Sequence, residues 1–172
     1  MLLWRPLLPS DLPALGAIAA QVHPGFPEDD AVFAERLQLY PQGALLLELA
    51  GRPAGYVLSH PWRFRQVPAL NALLGEIPAD ADTYYLHDLA LLPSARGSGA
   101  AAAIVKKLSD IAAEAGFARM SLVAVNGSQG FWHKQGFVAH ALRGLETKLA
   151  SYEASARLMV ARLPLVKAGA SS

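Results

Sequence analysis

His87 and Asp88 stand side by side at the end of an apolar run, and Arg96-Gly97-Ser98-Gly99 follows shortly after. An imidazole and a carboxylate are the side chains best suited to taking a proton near neutral pH. Two glycines where a strand hands over to a helix do different work. That junction gathers unpaired backbone N–H groups and the positive end of the helix dipole, a natural seat for phosphate or pyrophosphate. Gly97 and Gly99 let the backbone turn sharply against a bulky anion. Ala100 to Ala103 keep the first helical turn free of bulk, and Arg96 adds a fixed positive charge. No Lys-Ser/Thr pair follows, so the turn is not a Walker A loop. It also lacks the last glycine of the dinucleotide fingerprint.

The elements that must position these residues can be read on either side. Residues 2–6 form a short strand, and Ser10 or Asp11 caps a helix running to Val22, with Leu12, Leu15, Ile18 and Ala19 on one face. His23-Pro24-Gly25 breaks it. A second helix covers Glu28 to Tyr40, with Val32, Phe33, Arg36 and Leu37 in helical spacing. Strands at 44–50 and 54–60 flank a turn at Gly51-Arg52-Pro53. Residues 61–82 are irregular. A strand at 84–92, the glycine turn and a helix at 99–115 follow, then a strand at 119–125, a short helix at 128–135, and strands near 137–143 and 156–163. This mixed order predicts an α/β or α+β fold, a sheet with helices on its faces. One domain over 1–166 is expected, with a frayed tail at 167–172.

Composition narrows the partners. Hydrophobic residues make up 53% and charged residues 17%, which excludes disorder. A formal net charge of +1 gives no pull towards nucleic acid or an anionic membrane. Pro6, Pro9, Pro13 and Asp11 interrupt the apolar start, so neither a signal peptide nor a membrane span is expected, and the cytoplasm is the expected compartment. There is no cysteine, which removes a thiol nucleophile and thiolate metal sites. The histidines lack metal-ligand spacing, so no metal is expected.

Two spaced blocks carry a family resemblance. Leu89-Ala90-Leu91, Pro93 and Arg96-Gly97-Ser98-Gly99-Ala100-Ala101 resemble the acetyl-CoA motif of the GNAT superfamily of N-acetyltransferases. Its Arg/Gln-x-x-Gly-x-Gly/Ala pattern is matched by Arg96, Gly99 and Ala101. Val125-Asn126 and Phe131-Trp132-His133-Lys134-Gln135-Gly136-Phe137 resemble the superfamily's Asn…Phe-Tyr-x-Lys-x-Gly-Phe block. The resemblance is specific over 84–138 and looser elsewhere.

That resemblance implies a mostly antiparallel sheet of about six or seven strands with about four helices, and a splayed central strand pair that binds acetyl-CoA. The backbone of Leu89, Ala90 and Leu91 would pair with the pantetheine arm, and amides from Arg96 through Ala101 would hold the pyrophosphate. Asn126 would contact the cofactor, with a plain turn as its other reading. Phe131 and Trp132 would wall the thiol end. Many relatives carry tyrosine where Trp132 stands, and an indole cannot replace its acidic hydroxyl. Ser128, Tyr84, Tyr85 or water would then supply the proton.

The implied activity is direct acetyl transfer to a primary amine of a small molecule or polypeptide. The alternative is a non-catalytic acyl-CoA-binding module, and a plain interaction domain is a third. His87 and Asp88 are the candidate bases. Strand alternation sends them to opposite faces, so at most one would meet the acceptor. His60 would line the acceptor side, and His23 and the acidic run Glu28-Asp29-Asp30 lie in a region that the resemblance implies shapes the acceptor pocket. That run would attract an amine, but it also suits the start of a helix, the preferred reading. A homodimer is compatible with the superfamily.

Overall fold

The computed structural model describes residues 1–150 and 152–166; the tail expected at 167–172 lies outside the described residues. Along the chain run β1 (Leu2–Pro6), α1 (Leu12–Val22), α2 (Asp30–Leu39), β2 (Ala44–Leu49), β3 (Arg52–Trp62), β4 (Thr83–Leu91), α3 (Ala100–Glu114), β5 (Arg119–Ala124), α4 (Gln129–Lys134), β6 (Val138–Ala139), α5 (Glu146–Ala150) and β7 (Arg157–Arg162). The strands form one mixed seven-stranded sheet in the order β1-β2-β3-β4-β5-β7-β6. β4 and β5 pair in parallel, while β1 with β2, β2 with β3, and β7 with both β5 and β6 pair antiparallel.

The chain divides into two compact units. The first holds Met1–His60, Leu70–Ile77 and Leu86–Ile104. Its main core joins Leu15 and Ile18 of α1 and Phe33 and Leu37 of α2 to Leu46, Tyr56, Leu58 and Ala90 of the strands. Burying each of these leucines stabilises by roughly 1.5–3 kcal/mol. A second cluster sets Trp4, Leu47, Ala54 and Leu91 against Ala95 and Ala100. The Trp4 indole donates to the Ala100 carbonyl at 3.0 Å, which ties β1 to the start of α3.

The second unit holds Pro61–Ala69, Pro78–Tyr85 and the chain from Val105 onward. The parallel ladder pairs Tyr84 with Met120 and Tyr85 with Ser121, and a hydrogen bond of 2.8 Å joins Thr83 Oγ1 to Ser121 Oγ. Phe64, Val67, Leu145 and Leu158 form its satellite core.

Several local details differ from expectation. Asp11 takes the N-cap position of α1, but its carboxylate accepts from Arg5 and from the Leu8 amide rather than from helix amides. The hairpin turn is Ala50-Gly51, both at positive φ, as a two-residue primed turn requires. Arg52 and Pro53 therefore belong to β3, where they face Leu49 and Glu48 next to a bulge at Leu47/Glu48. The strand expected near 137–143 shrinks to Val138–Ala139, and α5 follows where no helix was expected.

Candidate functional site

The turn at 96–101 is built from backbone. β4 delivers the chain to a short 3₁₀ turn at Pro93–Ala95, and α3 starts at Ala100. Gly97 and Gly99 sit at φ 75° and 85°, left-handed positions where a side chain adds strain. Nothing lies within 4 Å of where a Cβ would stand on either residue, so the turn presents open backbone. Ser98 Oγ donates to the Ala95 carbonyl at 2.5 Å and accepts from the Ala100 amide at 3.3 Å, which braces the loop from within. Arg96 is exposed, and its Nε donates to the Leu91 carbonyl at 3.2 Å. Ala101 is half-buried in the first turn of α3. Small residues, left-handed glycines and a lone cation at the start of a 15-residue helix suit a diphosphate.

The other end is built from side chains. β4 presents His87 and Asp88, and the α1–α2 connection at 23–29 reaches both. His87 Nε2 donates to Glu28 Oε1 at 2.8 Å, and both side chains are almost wholly buried, 4% and 6% exposed. His23 Nε2 donates to Asp88 Oδ1 at 2.9 Å, and these side chains keep 15% and 14% exposure. The Tyr56 hydroxyl donates to the second Asp88 oxygen at 2.5 Å. Alternation was expected to let at most one of the two residues face the acceptor. The 23–29 connection takes one partner from each.

Charge follows from these contacts. Burial opposes ionisation of Asp88, but hydrogen bonding and charge from His23, with the Tyr56 hydroxyl, hold its carboxyl below the usual carboxylate range. Glu28 is shifted the same way: burial opposes its charge and the hydrogen bond from His87 outweighs it. For His23, burial alone would strip the proton. Asp88 and, more weakly, Glu28 overcome that and raise its pKa, while Arg96 pulls the other way. Burial and the charge of Asp88 push the Tyr56 phenol well above its ordinary value, so it stays a donor.

The acidic run therefore divides its roles. Asp29 is the N-cap residue of α2 and Asp30 lies in its first turn, as a helix start requires. Glu28 is not helix charge but the partner of His87, a correction to the preferred reading. Its other oxygen accepts from the Asn71 amide at 3.1 Å, and Asn71 Oδ1 in turn accepts from the Asp29 amide at 2.7 Å. The Glu35 carboxylate accepts from the Leu74 and Gly75 amides, so α2 pins the segment Leu70–Ile77. His60 is buried with its ring 6.4 Å from that of His87.

The remaining candidates lie in the second unit. Asn126 occupies an exposed left-handed turn at φ 56°, and its amide donates to Glu153 Oε1 at 2.8 Å. Trp132 is buried on α4, edge-on to Phe131 at 4.9 Å and to Phe137 at 5.5 Å. Ser128 donates its hydroxyl to the Val125 carbonyl at 2.6 Å. Tyr84 and Tyr85 are buried core residues, with Tyr84 edge-on to Phe117. Sequence reasoning named His23 and Glu28 without their partners, and it passed over Tyr56. A phenol among aliphatic strand residues was the available signal, because a buried tyrosine hydroxyl needs a partner.

The family is now fixed. A model described as the acetyltransferase (GNAT) family matches residues 12–137, and the chain belongs to that family. No curated protein matches the sequence. Among solved structures the chain is similar to a GNAT-like decarboxylase, GphF, in complex with isobutyryl-CoA, at 16% identity and TM-score 0.76 over 93% of this chain and 98% of that one. It is similar to the ribosomal-protein-S18-alanine N-acetyltransferase of Escherichia coli, at 18% identity and TM-score 0.66 over all of both chains. It is also similar to the PaiA N-acetyltransferase of Thermoplasma acidophilum in complex with coenzyme A, at 14% identity and TM-score 0.66 over 94% and 99%. At these identities the likeness is one of fold. Among the described residues no helix is long and apolar enough to cross a membrane, and no group of three His, Asp or Glu side chains is placed to hold a metal ion.

Proposed function

We propose that the chain is an N-acetyltransferase that moves the acetyl group of acetyl-CoA to a primary amine of a small molecule or polypeptide, by direct attack while both are bound. The observation that carries this reading is the strand–turn–helix at 83–114. It combines two open left-handed glycines at the head of α3 with family membership over 12–137. Pyrophosphate oxygens take the amides from Arg96, Gly97, Ser98, Gly99, Ala100 and Ala101, with Arg96 as counter-charge. The pantetheine arm pairs with the backbone of Leu89, Ala90 and Leu91. By the family motif, Asn126, Phe131 and Trp132 are the further candidates for cofactor contact, the two rings as apolar walls.

The acceptor arrives mostly as an ammonium, because an alkyl amine has a pKa of about 10. His87, backed by the buried Glu28 carboxylate, takes its proton. The neutral amine then attacks the thioester carbonyl, a β4 amide near Leu91 stabilises the oxyanion, and the C–S bond breaks with its electron pair on sulfur, which takes up the second amine proton to leave as CoA thiol. Asp88 is less suited to being the base itself, since both its oxygens accept hydrogen bonds. Two ionised carboxylates at this end favour a cation and disfavour a substrate carboxylate, which supports amine acylation over decarboxylation.

Calorimetry with acetyl-CoA and an amine panel read by free CoA release test the reading together. Binding with acceptor-dependent CoA release is the expected result. Binding without release across the panel would leave an acyl-CoA-binding module, and no binding at millimolar acetyl-CoA would overturn both.

A further inference from the structure

In the second unit, β6 and β7 part after a bond from the His140 amide to the Leu158 carbonyl at 2.9 Å. The chain between them carries α5 and forms an arch. Three tethers fix it. Lys148 Nζ donates to the Val67 carbonyl at 2.9 Å, the Tyr152 hydroxyl donates to the Pro68 carbonyl at 2.5 Å, and Glu153 accepts from the Asn126 amide. The arch is also packed down, because Leu142, Leu145 and Leu149 join Phe64 and Val67 in one apolar cluster. A hollow beneath an arch held this way does not close by simple collapse.

That hollow is a cavity of about 540 Å³, within the range of roughly 300–1,000 Å³ usual for small-molecule sites. The space is there because five of the lining residues are alanines, while Leu142, Leu149 and Leu158 supply an apolar wall. Three polar side chains line it as well: His140, Glu146 and Arg157. Arg157 Nη1 donates to the carbonyls of Ala154 at 3.3 Å and Ala156 at 2.9 Å, which braces the guanidinium against its own turn. Its Nε and Nη2 have no protein partner among the described residues, and the Glu146 carboxylate has none either. The His140 ring meets Phe64 edge-on at 5.1 Å.

Singly, either charge would be an ordinary solvated side chain. Together they place an unspent cation and an unspent anion on one apolar hollow, without pairing with each other. A braced guanidinium fork matches a planar carboxylate, and a carboxylate matches an ammonium. The leucines match an aliphatic body. We propose that this cavity is a binding site for an apolar α-amino acid, with its carboxylate on Arg157, its ammonium on Glu146 and its side chain against Leu142, Leu149 and Leu158. The site shares no residue with the glycine turn or with the His87 and Asp88 pairs, so binding there requires neither acetyl-CoA nor the acyl-transfer reading.

The probes are leucine, leucinamide, which lacks the carboxylate, and 4-methylpentanoate, which lacks the ammonium. Binding is read by NMR from the ring resonance of His140, which lines the cavity. On the wild-type protein, leucine is expected to shift that resonance saturably with a Kd of about 1 mM or tighter, and each truncated probe to bind at least about tenfold more weakly. Arg157→Gln should weaken leucine at least about tenfold and leave leucinamide within about twofold. Because Arg157 also braces its turn, Glu146→Gln is the second variant, at an exposed side chain with no protein partner among the described residues. It should weaken leucine by about tenfold and leave 4-methylpentanoate within about twofold, with the circular dichroism spectrum kept. No saturable His140 shift up to about 20 mM leucine overturns the inference. So does equal affinity for leucine and leucinamide, or wild-type affinity for leucine in either variant.

Discussion

The two ends of the first unit are made differently. The turn at 96–101 offers main-chain amides, and its side chains matter mainly by being small or absent. The end around His87 and Asp88 offers side chains alone, gathered from α1–α2, β3, β4 and the segment at 70–77. On the proposed reading, the backbone seat recognises what acyl-CoA donors share, and the side-chain seat, which can vary residue by residue, is where acceptors are told apart.

Substitutions at each end should separate the two properties. Gly99→Val is the sharpest probe of the backbone end. A β-branched residue at φ 85° forces the turn to rearrange and misdirects charge-assisted amide contacts. Affinity for acetyl-CoA should fall by about 100-fold or more by calorimetry, with the circular dichroism spectrum kept. Retained affinity would remove the backbone seat from the comparison.

At the other end, His87→Ala should cut kcat by about 100-fold and flatten the acidic limb of the pH–rate profile, with acetyl-CoA affinity within about twofold. An unchanged profile excludes His87 as base. Glu28→Gln is milder. It keeps an acceptor for the imidazole but removes the charge that stabilises its protonated form, so kcat should fall about tenfold. A loss of acetyl-CoA affinity instead would blur the distinction between the ends.

The smallest effect is on stability. Glu28 and Asp88 titrate below their ordinary values, so their contribution is present above the unfolded-state pKa, about 4, and is lost as pH falls through the lower folded value. His23 titrates above its ordinary value. Its contribution is complete below about 6.5 and is lost as pH rises through the higher folded value. The thermal midpoint should therefore peak between about pH 4.5 and 6.5 and decline on both sides. In His23→Gln the alkaline decline should shrink. A decline of equal size there would mean that the pair adds no pH-dependent stability.

The backbone end was legible in sequence because it needs glycines at fixed spacing close to a strand and a helix. Element order was legible for the same local reason, from Val32, Phe33, Arg36 and Leu37 on one face of α2 to the helix-ending Gly116. The hairpin slipped because Pro53 reads as a turn residue yet sits opposite Glu48 in β3. α5 was missed because five residues carry little periodicity, and its neighbours Leu142, Leu145 and Leu149 pack on Phe64 and Val67, far back in the chain. The pairs His23–Asp88 and Glu28–His87 also depend on long-range approach. Nothing local distinguishes a glutamate that caps a helix from one that reaches β4.

Glu28 has one further consequence. One of its oxygens holds His87, and the other holds the amide of Asn71, on the segment pinned to α2. The carboxylate is a shared hinge pin between β4 and an outer loop. Grafting that loop from another family member would disturb the His87 contact along with the surface around it. If His87 is the base as proposed, changing the loop means retuning the strand.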